Sequence, residues 1–451
     1  MDKQQSDPSS RAHAKLSASQ TKRWMSCPGS TTLIDALPAL LMPRQSKFAA
    51  LGTAAHSLIE ECVNMQYDSC RAYKGYWIGQ DGSVQRSKRD PEAFEVNDDM
   101  ASAVDVMLRV VKDERDRLGP SAELRNEFRF DLSWLRPEMF GTNDVSLSLF
   151  LDELVVIDYK HGQGVPVEVS YRDADTGVHV GNTQLMYYAL GAAHGYDFTH
   201  ERVTLIVVQP RCPHSEGGVR RFTCTMAELL RFRDVLAEAV DRVHEATAAY
   251  GSLPAREWED TNLRPGAHCR SSFCAMLATC PATHRLAERE AQADFSEEPS
   301  SASLVLPSTA DGVSRALKWV PLLDARNKAI SELAMRLAEQ GIRVKGHKLV
   351  RKKANRTWAS DHVGVRTALI AGGLSSADFM SKPELMTPAQ VERIGPEAKA
   401  IVNGIRCVDR SDTWEIPPLA VKGVGGLTLA HEDDPRAEVV VDVSADFPPE
   451  V

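Results

Sequence analysis

No run of about 18 uncharged apolar residues occurs in this 451-residue chain, so no transmembrane helix is expected. The opening MDKQQSDPSSRAHAK lacks the apolar stretch of a secretory leader, and no signal peptide is expected. A cytoplasmic protein is the default reading. No G-x-x-x-x-G-K-[ST] phosphate loop is present, which excludes a P-loop ATPase motor within the chain. There is no long heptad repeat and no internal repeat. Positive charge is not in excess: 53 Lys and Arg against 62 Asp and Glu give a net charge of -9. That argues against a surface coated in nucleic acid but leaves room for a local basic cleft, because binding follows the distribution of charge. Nine cysteines do not suggest a disulfide framework in such a chain, and metal binding is the better reading where they cluster.

What is present describes an ordinary globular protein, 43% apolar and 25% charged, long enough for two or three domains. Residues 1–15 are polar and read as disordered. A short helix falls within 16–30, stopped by Pro28-Gly29, and two longer ones cover about 48–66 and 93–118. Strand patterns occupy 123–130, 140–151 and 153–162. A helix follows over 182–195, then a buried strand from 202, an edge-like strand over 219–225 and a long helix from 226. The order predicts a mixed α/β core with helices flanking one sheet. Residues 286–308, rich in Ser, Glu and Pro, read as a linker. Residues 309–410 read as a smaller accessory unit with a helix near 313–340, and 411–451 as an acidic tail.

Chemistry concentrates at I-D-Y-K-H-G. On a strand, Asp158 and Lys160 share a face and Tyr159 points away. Burying such charges at the end of an apolar strand is costly unless they serve each other or a metal. Asp144, in G-T-N-D-V, takes the corresponding place on the preceding strand. Two carboxylates beside one ammonium suit phosphodiester hydrolysis, with Mg²⁺ or Mn²⁺ on hard oxygen ligands. Taken alone, D-x-K is as well explained by a structural ion pair. His56, on a helix in G-T-A-A-H, could add a neutral imidazole, although a lone helical His is usually a packing residue. Gln184 and Tyr188, four apart, share one helix face, where packing and one hydrogen bond are the bland alternative.

The order G-x-x-x-H, G-x-x-D, I-D-Y-K, Q-x-x-x-Y resembles the nuclease domain of RecB and the CRISPR adaptation exonucleases, of the PD-(D/E)XK type. The resemblance implies a restriction-endonuclease-like core over 16–285. It implies metal ligation by His56, Asp144, Asp158 and the Tyr159 carbonyl, with Lys160 catalytic. Gln184 and Tyr188 would support the site or touch DNA, and Glu127 matches an acidic position on the first strand. The nearest likeness is to phage and prophage proteins with this core. It rests on S-A-S-x-x-x-R-W-x-x-C-P-G-S, N-T-Q-L-M-Y-Y-A-L-G, V-V-Q-P-R and G-H-K-L-V-x-x-x-x-N-R-T-W, over about residues 16–370. The implied function is a metal-dependent DNA exonuclease in phage recombination, replication or repair, in the host cytoplasm. Any helicase or single-strand-binding partner would be a separate polypeptide. The rival expectation is a non-catalytic DNA-binding or assembly factor on the same scaffold.

Cys269, Cys274 and Cys280 lie close together, and Cys27 lies far upstream. Relatives in this nuclease family carry one cysteine before the core and three after it, which implies a [4Fe–4S] cluster. The C-x4-C spacing is wider than C-x2-C, and zinc, with His268 as a substitute ligand, stays open. The other cysteines are scattered and read as structural. In the second unit, Lys345, Lys348, Arg351, Lys352, Lys353 and Arg356 form a basic run that reads either as a phosphate-binding stripe or as a solvated edge strand. Trp358 is near enough to stack on a base.

Overall fold

The computed structural model describes residues 14–44, 46–137, 139–172, 177–295, 310–352, 356–359, 361–381, 384–392, 394, 396–409, 412–422, 426–431 and 436–439. The chain divides into two compact units, Met1–Ile330 and Ser331–Val451.

In the first unit, helices α1 (Thr21–Ser26), α2 (Gly29–Asp35) and α3 (Lys47–Asn64) precede three two-residue strands, β1 (Trp77–Ile78), β2 (Val84–Gln85) and β3 (Phe94–Glu95). Helix α4 (Asp98–Leu118) leads into β4 (Glu123–Asp131), β5 (Phe140–Leu149) and β6 (Glu153–Tyr159). After the hairpin β7 (Ser170–Arg172) and β8 (His179–Gly181) come α5 (Thr183–His194), β9 (Arg202–Val208) and β10 (Val219–Thr225). Helices α6 (Met226–Ala249), α7 (Ala255–Asn262), α8 (Ala267–Ser271) and α9 (Pro281–Phe295) follow, and α10 (Ala310–Glu339) runs across the division after Ile330, whereas the composition places the start of the second unit at 309.

The central sheet has the order β10-β9-β6-β5-β4. All its neighbours pair antiparallel except β6 and β9, which run parallel with α5 in the crossover. Strand β6 is the middle strand, and every residue of it is buried. That is why E-L-V-V-I-D-Y reads as an unbroken apolar run with its polar groups at the ends. Alternation divides the core in two. Leu154 and Val156 face a layer containing α5 and α6, while Val155, Ile157 and Tyr159 face α3 and α4.

Capping fixes where the helices begin. The Ser46 side chain accepts from the Ala49 amide at α3, Asn97 from Met100 at α4, and Asn182 from Gln184 at α5. At α6, Thr225 and Glu228 form a reciprocal capping box.

The second unit contains β11 (His347–Arg351), β12 (Arg356–Trp358), α11 (His362–Ala371), α12 (Ser376–Phe379), β13 (Met380–Ser381) and β14 (Glu384–Leu385). It continues with α13 (Pro388–Glu392), α14 (Pro396–Asn403), β15 (Ile405–Asp409), β16 (Asp412–Ile416), β17 (Ala420–Lys422) and β18 (Leu427–His431). Its core gathers Val365, Leu369, Phe379, Val391, Ile401 and Val402.

The mixed α/β class and the single flanked sheet are as the sequence indicates, and three boundaries differ. Pro28-Gly29 separates two helices instead of ending one, because the φ of -55° at Pro28 suits a helix entry. The expected linker is helical to Phe295, since A-E-R-E-A is built from strong helix formers. Its remainder, 296–308, lies outside the described residues. The segment from 411 is not simply a tail: β17 pairs with β12, and β18 with β11, placing Leu429 opposite Leu349. Turn residues between these short strands mask their alternation in the sequence. Residues 1–13 and 440–451 lie outside the described residues.

Candidate metal centre

The β5–β6 ladder ends at Val145 opposite Ile157, one step short of Asp144 and Asp158. That register brings both carboxylates to one end of the sheet, on the same face. Asp144 accepts the Tyr159 amide at 2.7 Å through Oδ2, and its Oδ1 lies 3.3 Å from His56 Nδ1. The Tyr159 amide therefore points at Asp144. Its carbonyl leaves the strand on the same side, as it does for any residue in an extended strand.

Lys160 Nζ lies 3.0 Å from Oδ1 and 2.9 Å from Oδ2 of Asp158. From α5, Gln184 Nε2 donates to Asp158 Oδ1 at 3.3 Å and to Tyr188 Oη at 2.9 Å. The sequence-derived residues His56, Asp144, Asp158, Tyr159, Lys160, Gln184 and Tyr188 are thus one connected network.

Glu127 joins it by an unusual backbone. On β4, Asn126 pairs with Val145 and Phe128 with Asn143, which leaves Glu127 opposite Asp144. Its φ is +44°, in the left-handed region that non-glycine residues rarely occupy and that costs of order 1–3 kcal/mol. Ligand atoms of His56, Glu127 and Asp144 all lie within 4.8 Å of one another, the only such group of three among the described His, Cys, Asp and Glu residues. Asp158 is not in that trio; it stands beside it, tied to Lys160 and Gln184. The resemblance matches Glu127 only to an acidic position on the first strand; the geometry groups it with His56 and Asp144 as a possible metal ligand.

The electrostatics are those of a site short of positive charge. Burial, and then the Asp144 charge, push the Glu127 carboxyl up to about 7. Burial also raises Asp158, with Lys160 opposing the shift. Burial works against the Asp144 carboxylate too, but His56, Lys160 and the Tyr159 amide outweigh it and hold its pKa below the usual carboxylate range. Its charge in turn raises His56 against the pull of burial. Three carboxyl groups share one lysine and one imidazole, so a divalent cation would relieve their mutual repulsion. Hard carboxylate oxygens with one imidazole suit Mg²⁺ or Mn²⁺.

Sequence reasoning missed the residues that hold the chain after Lys160. Gln209, buried in V-V-Q-P-R, accepts the Val167 amide at 2.9 Å and donates to the carbonyls of Gly162 (3.1 Å) and Val165 (2.9 Å). Buried Arg220 donates to Gln209 Oε1 at 2.9 Å, and Arg211 to the His161 carbonyl at 3.0 Å. The sequence signal was the V-V-Q-P-R motif, in which a Gln ends an apolar strand.

The four cysteines meet in one small cavity. Cys27, Cys269, Cys274 and Cys280 line it together with Arg23, Ser30 and His268, and its volume is about 20 Å³. The Arg264 amide donates to Cys27 Sγ at 3.4 Å. Burial pushes Cys269 up to about 12 and Cys274 to about 11, so without a metal these thiols stay protonated. Arg23, held by Gln20 Oε1 and Ser30 Oγ, supplies the positive charge that thiolates there would need. The remaining buried cysteines, Cys62, Cys70, Cys212 and Cys224, are free thiols.

In the second unit, the basic run does not form one stripe. Lys348 and Arg351 fall on opposite faces of β11. Arg356 bonds Asn403 Oδ1 at 2.9 Å and pairs with Glu392. Lys345 and Lys352 are exposed, and Lys353 lies outside the described residues. Trp358 is partly buried against the unit's core and donates to the Met386 carbonyl at 3.2 Å.

Fold and site together define a mixed α/β protein with a half-buried carboxylate–histidine–lysine centre at one end of the central sheet. The chain belongs to the family described as "Protein of unknown function (DUF2800)", whose profile matches residues 13–437. No solved structure matches it.

Proposed function

We propose that this chain is a Mg²⁺- or Mn²⁺-dependent deoxyribonuclease of the RecB-like PD-(D/E)XK type. The observation that carries the reading is the convergence of Asp144, Asp158 and Lys160 at the ends of adjacent strands, with His56 3.3 Å from Asp144. A metal held by His56, Glu127 and Asp144, with Asp158 and the Tyr159 carbonyl beside them, would acidify its bound water and stabilise charge on the phosphate. Lys160, anchored on Asp158, is placed to orient the nucleophile and neutralise developing negative charge. Gln184 and Tyr188 fix the Asp158 carboxylate. A role in phage or prophage recombination, replication or repair fits the resemblance, with any helicase supplied by another polypeptide.

The four cysteines that line the small cavity would hold a [4Fe–4S] cluster. Its four thiols come from both ends of the domain, an arginine lies among them and an amide points at one sulfur. Zinc is the alternative, but a single zinc would hold its sulfurs about 3.8 Å apart given Zn–S near 2.3 Å. No three of these ligands lie that close together. A brown protein absorbing in the visible supports the cluster, and a colourless zinc-loaded protein overturns it.

The nuclease reading is tested with purified protein, labelled linear single- and double-stranded DNA, and Mn²⁺. Asp158→Ala and Lys160→Ala should each lose about 10²–10³-fold or more in cleavage rate. Equal rates for wild type and Asp158→Ala would sink the assignment. No cleavage by the wild type would favour the non-catalytic DNA-binding scaffold.

A further inference from the structure

Phe48 is 82% exposed, more than any other large apolar side chain among the described residues. Solvating an aromatic ring so fully is costly, and it stands in the first turn of α3, the helix that carries His56. Phe48, Gly52 and His56 follow one another at four-residue spacing along one flank of that helix, with about 12 Å of axial rise from first to last. The residue between them has no side chain, and a Cβ added at Gly52 would meet only His161, at 4.0 Å. That glycine sets this stretch of helix against the segment just after Lys160.

Charge along this stretch suits a polyanion. From Ala36 to Ile59 the chain carries no Asp or Glu, although it has 62 of them overall, and Arg44 and Lys47 precede Phe48 in the chain. Leu40 and Met42, shortly before it in the chain, are also exposed. An exposed ring in a stretch free of acidic residues, leading along a bare helix flank to the candidate metal centre, suits single-stranded nucleic acid. Bases stack on the aromatic while the backbone follows the positive charge.

We infer that Phe48 is a stacking platform for one unpaired base, roughly two nucleotides along the strand from the metal centre. The substrate class is therefore single-stranded DNA or the frayed end of a duplex. A paired base inside an intact duplex has both faces covered and cannot stack there. The inference rests on the nuclease reading for the position of the reacting phosphate.

Two measurements on the full chain test it. The first is binding of a short fluorescein-labelled oligothymidylate in EDTA, where no cleavage occurs. Phe48→Ala should bind about tenfold to a hundredfold more weakly than wild type, with unchanged binding to a blunt duplex. Phe48→Trp should bind like wild type, and its new indole emission should be quenched by the oligonucleotide. Equal oligothymidylate binding by wild type and Phe48→Ala, or an unquenched Phe48→Trp, overturns the platform. A change in oligomeric state in Phe48→Ala with no change in DNA binding also overturns it, showing the ring to be a protein contact. The second measurement is Mn²⁺-dependent cleavage of oligonucleotides carrying one abasic residue at successive positions. One position should slow the wild type as much as Phe48→Ala slows cleavage of intact DNA, and should not slow Phe48→Ala further. If wild type cleaves nothing, the nuclease reading fails, while the binding and quenching results still decide the role of Phe48.

Discussion

Glu127 shows most clearly how a single residue ties stability to function at this site. Its carboxyl is raised to about 7 by burial and by Asp144, and a metal can use it only when it is deprotonated. Mn²⁺ affinity should therefore climb as pH rises towards 7 and level off above it. Glu127→Gln should lower the affinity and flatten that slope; titration calorimetry at several pH values measures both, and an unaltered slope would remove Glu127 from the metal. Metal-free stability should move the opposite way. A carboxyl whose folded pKa lies above its unfolded value near 4.3 favours the fold at low pH and loses that contribution as pH rises between the two values. The acid–lysine pair was legible in the sequence because strand alternation puts Asp158 and Lys160 on one face. The place of Glu127 was not, since it depends on a left-handed φ that no residue pattern announces.

At the level of elements, α5 controls the site through its closeness to the sheet. Gly191 packs on the Phe130 ring so tightly that an added methyl would overlap it. Gly191→Ala should push α5 outwards, costing about 1–3 kcal/mol in urea unfolding. It should also loosen the Gln184–Asp158 contact, so that cleavage falls although nothing at the centre has changed. Retention of both stability and rate would show that α5 tolerates the shift. The elements of the first unit were largely legible: the apolar run of β6 and the alternation of β10 are local signals, although the Asn97 cap was overlooked and α4 begins at Asp98 and not at 93. Strands β17 and β18 were not, because each is so short that its pattern is lost among turns, and each gains its partner from far upstream. The basic run failed as a stripe for a related reason, since strand pairing decides which face each cation takes.

For the whole molecule, the question is where the first unit ends. Leu322 of α10 is buried against Cys269, Leu277 and Leu286, with Trp319 and Ala325 packed beside it. A boundary at 309, as composition suggests, would strip this cover from the cysteine cavity. A fragment ending at residue 309 should melt several degrees below one ending at 339, because burying Leu322 alone contributes roughly 1.5–3 kcal/mol. Any bound cluster should also bleach faster in the shorter fragment. Equal melting temperatures would mean that α10 is dispensable.

The early helices are sewn to the late ones well before any metal is considered. Cys27 packs with Ala246, Trp258, Leu263 and Ala282, and Thr32 Oγ1 lies 2.9 Å from Thr247 Oγ1. A pull on both ends of the first unit would meet this clasp before it reached the sheet, and the strands bearing Asp144 and Asp158 would feel tension only after the clasp had opened. If the proposed nuclease were hauled along a strand by a motor, its centre would keep its register until that fastening failed.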